Sequence, residues 1–87
     1  MDIRKVKVPD AISVEPQEDM MLRVFFEDGT IKLHDVKPYL KKFKVFEQLQ
    51  DPSIFNSVSV EGYGIVWNDD IDLSIYDVWE TGVSVTQ

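Results

Sequence analysis

Between residues 22 and 73, two glycine-centred reversals flank a stretch that opens on a proline, and this order constrains the fold more than any other feature of the chain. Residues 20–27 are rich in β-forming side chains and run into Asp28-Gly29. That pair suits the positive φ angles of a tight hairpin turn. With Asp28-Gly29 as a two-residue loop, Phe26 faces Ile31 and Val24 faces Leu33 on one side, while Phe25 faces Lys32 and Arg23 faces His34 on the other. One side is then wholly apolar and the other mixed. In the second reversal, Gly62-Tyr63 as the loop sets Val60 against Ile65 and Val58 against Trp67, with Ser59 and Val66 on the reverse face.

Between the hairpins the pattern changes to a helical one. Asp35 is placed to cap a turn, and Pro38 is tolerated in a helix only in its first turn because it has no N–H to donate. Leu40, Phe43, Phe46 and Leu49 recur every three residues, so 38–50 is expected to be a helix, or two turns joined by a kink, with one apolar side. Asp51-Pro52 reads as a new N-cap and first-turn pair holding Ile54 and Phe55 inward. Ser74 with Asp77 three residues on resembles a capping box, Ile75, Val78 and Trp79 form the apolar stripe of a closing helix, and Gly82 is suited to end it in a left-handed C′ position. Residues 83–87 are expected to fray. Upstream, Val6/Val8 and Ile12/Val14 read as a bent or broken strand punctuated by Pro9 and Pro16. The expected architecture is α+β: an antiparallel meander, a helical connection, a second hairpin and a short C-terminal helix in one domain spanning 1–87.

Length and composition limit what this architecture can support. Eighty-seven residues bury only roughly 60–65% of the unfolded chain's surface, enough for one modest core. The chain has no cysteine, which removes thiolate zinc sites, cysteine nucleophiles and disulfide staples and favours a reducing compartment. The charged N-terminus lacks the apolar run of a signal peptide, and no segment reaches membrane-spanning length, so a cytoplasmic location is expected.

Charge is divided unevenly. All nine Lys and Arg residues lie at or before Lys44 against eight acids, and the remainder carries eight acids and no base, about +1 and −8 for the two parts. Nucleic-acid affinity needs cations that displace condensed counterions, and a chain of net charge −7 lacks that field. The cluster Lys37, Lys41, Lys42 and Lys44 is the local exception. It supports a rival reading, a nucleic-acid-associated regulator, although such a run more often forms a solvated helix face.

The residues carry no motif for catalysis or cofactor binding. Asn68, Asp70 and Asp72 alternate like the first ligands of a calcium loop, but Leu73 stands where that loop needs glycine and Trp79 where it needs a bidentate acid; Asp69 and Asp70 in a solvated turn, with Asp72 bonding nearby backbone N–H groups, is the simpler expectation. His34 is the only histidine and has no evident nucleophile beside it. The four glycines are explained by turns or a helix end, so no phosphate-cradling loop remains. Neither catalytic, metal nor cofactor residues are expected. The remaining candidate is a protein-binding surface: Met21, Arg23, Phe25, Lys32 and His34 on the mixed sheet face, joined by Val66, unless a helix covers that face as a second core layer, and the acids Asp69, Asp70, Asp72, Asp77 and Glu80, which would steer a small basic protein.

The ordered series 22–29 (Leu-Arg-Val-Phe-Phe-Glu-Asp-Gly) with Asp35-Val36, Phe46-Glu47-Gln48-Leu49-Gln50-Asp51 with Phe55 and Val58, then Gly64-Ile65-Val66-Trp67 with Asp70-Ile71-Asp72-Leu73, resembles the family of small bacterial proteins catalogued as domain of unknown function 2442. The resemblance implies an α+β domain without an agreed catalytic residue, some relatives being companions of a second small protein as in toxin–antitoxin pairs. Other relatives carry an added helix-turn-helix segment. The present sequence shows none up to Gln87, so DNA recognition by that route is not expected.

Overall fold

A computed structural model describes residues 8–85. The chain forms β1 (Ala11–Gln17), β2 (Met21–Phe26), β3 (Ile31–Asp35), α1 (Lys37–Lys42), a 3-10 segment (Lys44–Gln50), α2 (Pro52–Phe55), β4 (Ser59–Glu61), β5 (Gly64–Asn68), β6 (Ile71–Ser74), α3 (Ile75–Thr81) and β7 (Val83–Ser84). The strands make two antiparallel sheets, ordered β1-β2-β3-β7 and β4-β5-β6. This is the α+β class and the meander expected from the sequence.

The core lies between the two sheets and the helices. Leu22, Val24 and Phe26 enter it from the first sheet, Ile65, Trp67, Ile71 and Leu73 from the second, Val36, Phe46, Leu49 and Phe55 from the connection, and Ile75 and Val78 from α3. Each such side chain stabilises the fold by about 1.5–3 kcal/mol relative to exposure. Trp67, only 6% exposed, is a core residue, as its place on the apolar face of the second hairpin with Val60 and Ile65 predicts.

The first hairpin corrects the expected register. Phe26 N–H donates to Thr30 O at 2.9 Å and Gly29 N–H to Phe26 O at 3.0 Å, so the loop has three residues, Glu27-Asp28-Gly29. Gly29 takes φ +92°, the left-handed step that follows a type I turn in such loops. The Asp28 carboxylate accepts from Thr30 N–H at 2.9 Å, a bond that lowers its pKa. The facing pairs are consequently Phe25/Ile31, Val24/Lys32, Arg23/Leu33 and Leu22/His34. A slip of one residue sends every side chain of β3 to the other face. Lys32 and His34 therefore turn inward with Val24 and Leu22, and Ile31 and Leu33 turn to the opposite face with Phe25 and Arg23, where Ile31 is nonetheless buried.

The second hairpin keeps its expected register, with Val60 opposite Ile65 and Ser59 opposite Val66. Val58 precedes β4 and stays outside the ladder, although it packs against the core.

Other departures have local causes. Of the two forms expected for 38–50, the kinked one is present: the extended backbone of Phe43 (φ −131°, ψ 117°) separates α1 from the 3-10 segment. Phe46 and Leu49 stay buried while Phe43 is 50% exposed. Strand β6 was not expected, because its acids disguise it: Ile71 and Leu73 point inward and Asp72 outward. Residues 83–85 do not fray. Val83 and Ser84 pair with Leu33 and Lys32, and Val85 N–H donates to Ile31 O. Gly82 is extended (φ −72°) rather than left-handed; glycine is required there because a Cβ would lie 2.6 Å from Val78 O and 3.1 Å from Lys32 Cβ. Upstream, Val14 faces the core while Ile12, beside a register shift in β1, is exposed; Val6 and residues 86–87 lie outside the described residues.

The N-caps expected at Asp51 and Ser74 are present, Ser74 without the reciprocal bond to Asp77 that would complete a capping box. Asp51 Oδ1 accepts from Ser53 N–H at 3.0 Å and Ser74 Oγ from Tyr76 N–H at 3.0 Å. Asp35 Oδ1 accepts from Lys37 N–H at 2.9 Å at the start of α1.

Candidate functional site

The register of the first hairpin divides the residues expected to bind a partner. Met21, Arg23 and Phe25 share the outer face of the four-stranded sheet with Leu33, beside an open depression of about 490 Å³ that Met21, Arg23 and Leu33 help to line. Lys32 and His34 are on the other face, a correction to the expected patch. Both are accommodated there by specific partners. Lys32 Nζ lies 4.8 Å from the centroid of the Trp79 ring, a cation over an aromatic face. Val66 is on the outer face of the second sheet and does not join Met21 and Phe25.

His34 is 3% exposed and joins three elements. Its Nε2 is 3.2 Å from Tyr39 Oη of α1, and its Nδ1 is 3.3 Å from Thr81 Oγ1 of α3. Thr81 Oγ1 donates its one proton to Asp77 O at 2.8 Å. It can therefore only accept from the imidazole, which assigns the proton of a neutral His34 to Nδ1 and makes Nε2 the acceptor of the Tyr39 hydroxyl. Burial lowers the His34 pKa, opposed by Asp77 and Asp35, and burial together with Asp77 raises that of Tyr39.

Above His34 the surface opens into two adjoining hollows. The first, about 390 Å³, is bounded by His34, Asp35, Lys42 and Thr81; the second, about 230 Å³, by Val45, Phe46, Asp70 and Asp72. Tyr39, Phe43 and Asp77 border both. Tyr39 stacks on Phe46 at a centroid distance of 5.3 Å and on Phe43 at 6.4 Å. The break at Phe43 is what swings its ring out of the apolar stripe and into this partition. Sequence periodicity pointed inward, so only the backbone break could have revealed the ring's position.

The acids after Lys44 are distributed around this groove. Asp69, Asp70, Asp72, Asp77 and Glu80 are all exposed. Asp70, Asp72 and Asp77 line the groove, whereas Asp69 and Glu80 border neither hollow. The turn that carries Asp69 and Asp70 is held by Asn68 Oδ1, which accepts from Asp70 N–H at 2.9 Å and Ile71 N–H at 3.1 Å. Asn68, not Asp72, supplies that backbone contact. Among the described residues no three His or carboxylate side chains gather at metal-ligating spacing, and no helix is long and apolar enough to cross a membrane.

The lysine cluster does not form one patch of uniform availability. Lys37 Nζ contacts Asp35 Oδ1 at 3.0 Å, Asp19 Oδ2 at 3.2 Å and Asp19 O at 2.7 Å. The bond to Asp35 leads the contacts that raise its pKa. Lys41, Lys42 and Lys44 are exposed.

Fold and surface together define a small acidic α+β domain of two antiparallel sheets, with an aromatic groove edged by carboxylates. The chain belongs to the family described as protein of unknown function (DUF2442), whose model matches residues 11–83. Comparisons with curated proteins and with solved structures give no match.

Proposed function

We propose that this protein is a non-catalytic, cytoplasmic interaction module, an antitoxin-like companion of a small basic protein. The observation that carries the reading is the exposure of Asp69, Asp70, Asp72, Asp77 and Glu80 on one stretch of chain that contains no Lys or Arg. Carboxylates so arranged accelerate encounter with a positively charged partner and weaken as salt screens them. Against the rival nucleic-acid reading, Lys37, the first of the lysine cluster, already serves two internal acids.

The test is co-expression with the product of the adjacent reading frame, followed by titration calorimetry of the purified pair at several salt concentrations. A complex whose affinity falls as salt rises is expected. A neighbouring product that is acidic or neutral and forms no complex with the chain removes the reading.

A further inference from the structure

The groove beside Phe43 specifies what kind of side chain a partner would insert. An exposed ring on a stacked aromatic pair is an apolar surface left in water, and here it borders a hollow whose other sides include carboxylates. Within the groove the two hollows differ in charge. The first has Lys42 on its rim with Asp35, while the second has Asp70 and Asp72 and no basic residue among its lining. Asp77 borders both. A cation entering the groove is therefore drawn to the second hollow and away from Lys42.

Aromatic face and carboxylates ask different things of that cation, and one group satisfies both. A guanidinium is planar, stacks on an aromatic ring while its edge N–H groups donate to carboxylates in a fork, and is more weakly hydrated than an ammonium. A lysine ammonium would be drawn by the charge but has no plane to lay on Phe43. We propose that the hollow between Phe43 and the carboxylates Asp72 and Asp77 is the anchor pocket for an arginine side chain of a protein partner. The proposal rests on the reading of the chain as an acidic interaction module and names the residue that module grips.

The experiment is a 1H–15N correlation titration of the full chain at low ionic strength with a capped peptide bearing one arginine, and with its lysine and citrulline counterparts. Citrulline keeps the planar shape and removes the charge. The arginine peptide should shift the amides of Phe43, Asp72 and Asp77, bind about fivefold or more tightly than the lysine peptide, and lose about fivefold or more in affinity in Phe43→Ala or Asp72→Asn. Both residues are exposed, and an unchanged urea midpoint confirms that each variant is folded. Equal response to all three peptides, or shifts confined to another surface, overturns the pocket. Calorimetry with the co-expressed neighbour separates the two claims: a salt-sensitive complex indifferent to Phe43→Ala removes the pocket and keeps the interaction reading, and absence of both complex and peptide binding removes both.

Discussion

The indole N–H of Trp67 donates to the backbone carbonyl of Phe55 across 3.1 Å in the buried core. This bond ties α2 to the second sheet, and the ring is also edge-on to Phe46 at 6.1 Å and tilted against Phe55 at 6.2 Å. Trp67→Ala is expected to cost about 3–5 kcal/mol by cavity formation, a large part of a small domain's stability. Trp67→Phe should cost about 1–3 kcal/mol, since it retains much of the ring but deprives a buried carbonyl of its donor. Urea unfolding of both variants measures the two contributions.

The two glycines Gly29 and Gly82 should fail for different reasons when replaced by alanine. Gly29→Ala has free space around the new methyl but must hold φ +92°, and a loss of about 1–2 kcal/mol is expected from backbone strain alone. Gly82→Ala has an ordinary backbone, yet its Cβ would press on Val78 O and Lys32. The loss should be about 1–3 kcal/mol, and hydrogen exchange should accelerate at Val85 as β7 detaches. A Gly82→Ala variant with unaltered exchange there would contradict the contact.

How much of this was legible in the sequence depends on whether the deciding contact is local. The caps at Asp51 and Ser74 and the Gly62-Tyr63 hairpin are settled by neighbours in the chain and were read correctly. The first hairpin was not, because Asp28-Gly29 suits both a two-residue and a three-residue loop. What makes the second register acceptable is that Lys32 meets Trp79 and His34 meets Thr81, residues from the far end of the chain. Phe43 falls on the apolar side by periodicity, and although that pattern allows a kink within 38–50, it does not place the kink at Phe43 itself. Strand β6 escaped notice because Asp is a poor strand former and only its two inward residues carry the apolar signal. Of the proposed partner surface, the acids were visible as a charge imbalance, whereas their convergence on an aromatic groove was not.

His34 gives the fold a pH dependence of definite sign. Its pKa is lowered in the folded chain, chiefly by burial, with Asp77 and Asp35 acting the other way; Tyr39 and Lys42 also border the hollow beside it. The unfolded state therefore takes up the proton first as pH falls. The contribution to stability is complete above the unfolded value of about 6.5 and is lost as pH falls through the folded value. Urea midpoints of the native chain and of His34→Gln, compared from pH 8 to pH 5, should show a decline below about pH 6.5 that is smaller in the variant.

The chain should bind no nucleic acid at near-physiological salt. Lys37 is engaged with Asp19 and Asp35, and the three remaining lysines of the cluster would release few counterions while the acids after Lys44 oppose phosphate. Fluorescence anisotropy with labelled duplex and single-stranded oligonucleotides at about 150 mM salt, the physiological ionic strength, checks this. Micromolar binding abolished by replacing Lys41, Lys42 and Lys44 with glutamine would favour the regulator reading instead.

The placement of the sole histidine has a practical consequence. One imidazole touches a strand, the helix after it and the last helix of the chain, and its proton is confined to Nδ1 only while Thr81 and Tyr39 both stay in reach. Separation of either helix frees the ring to exchange tautomers with water. The 15N shifts of a single side chain, free of overlap from any other histidine, would thus report in real time whether the two helices bordering the groove remain clasped when something enters it.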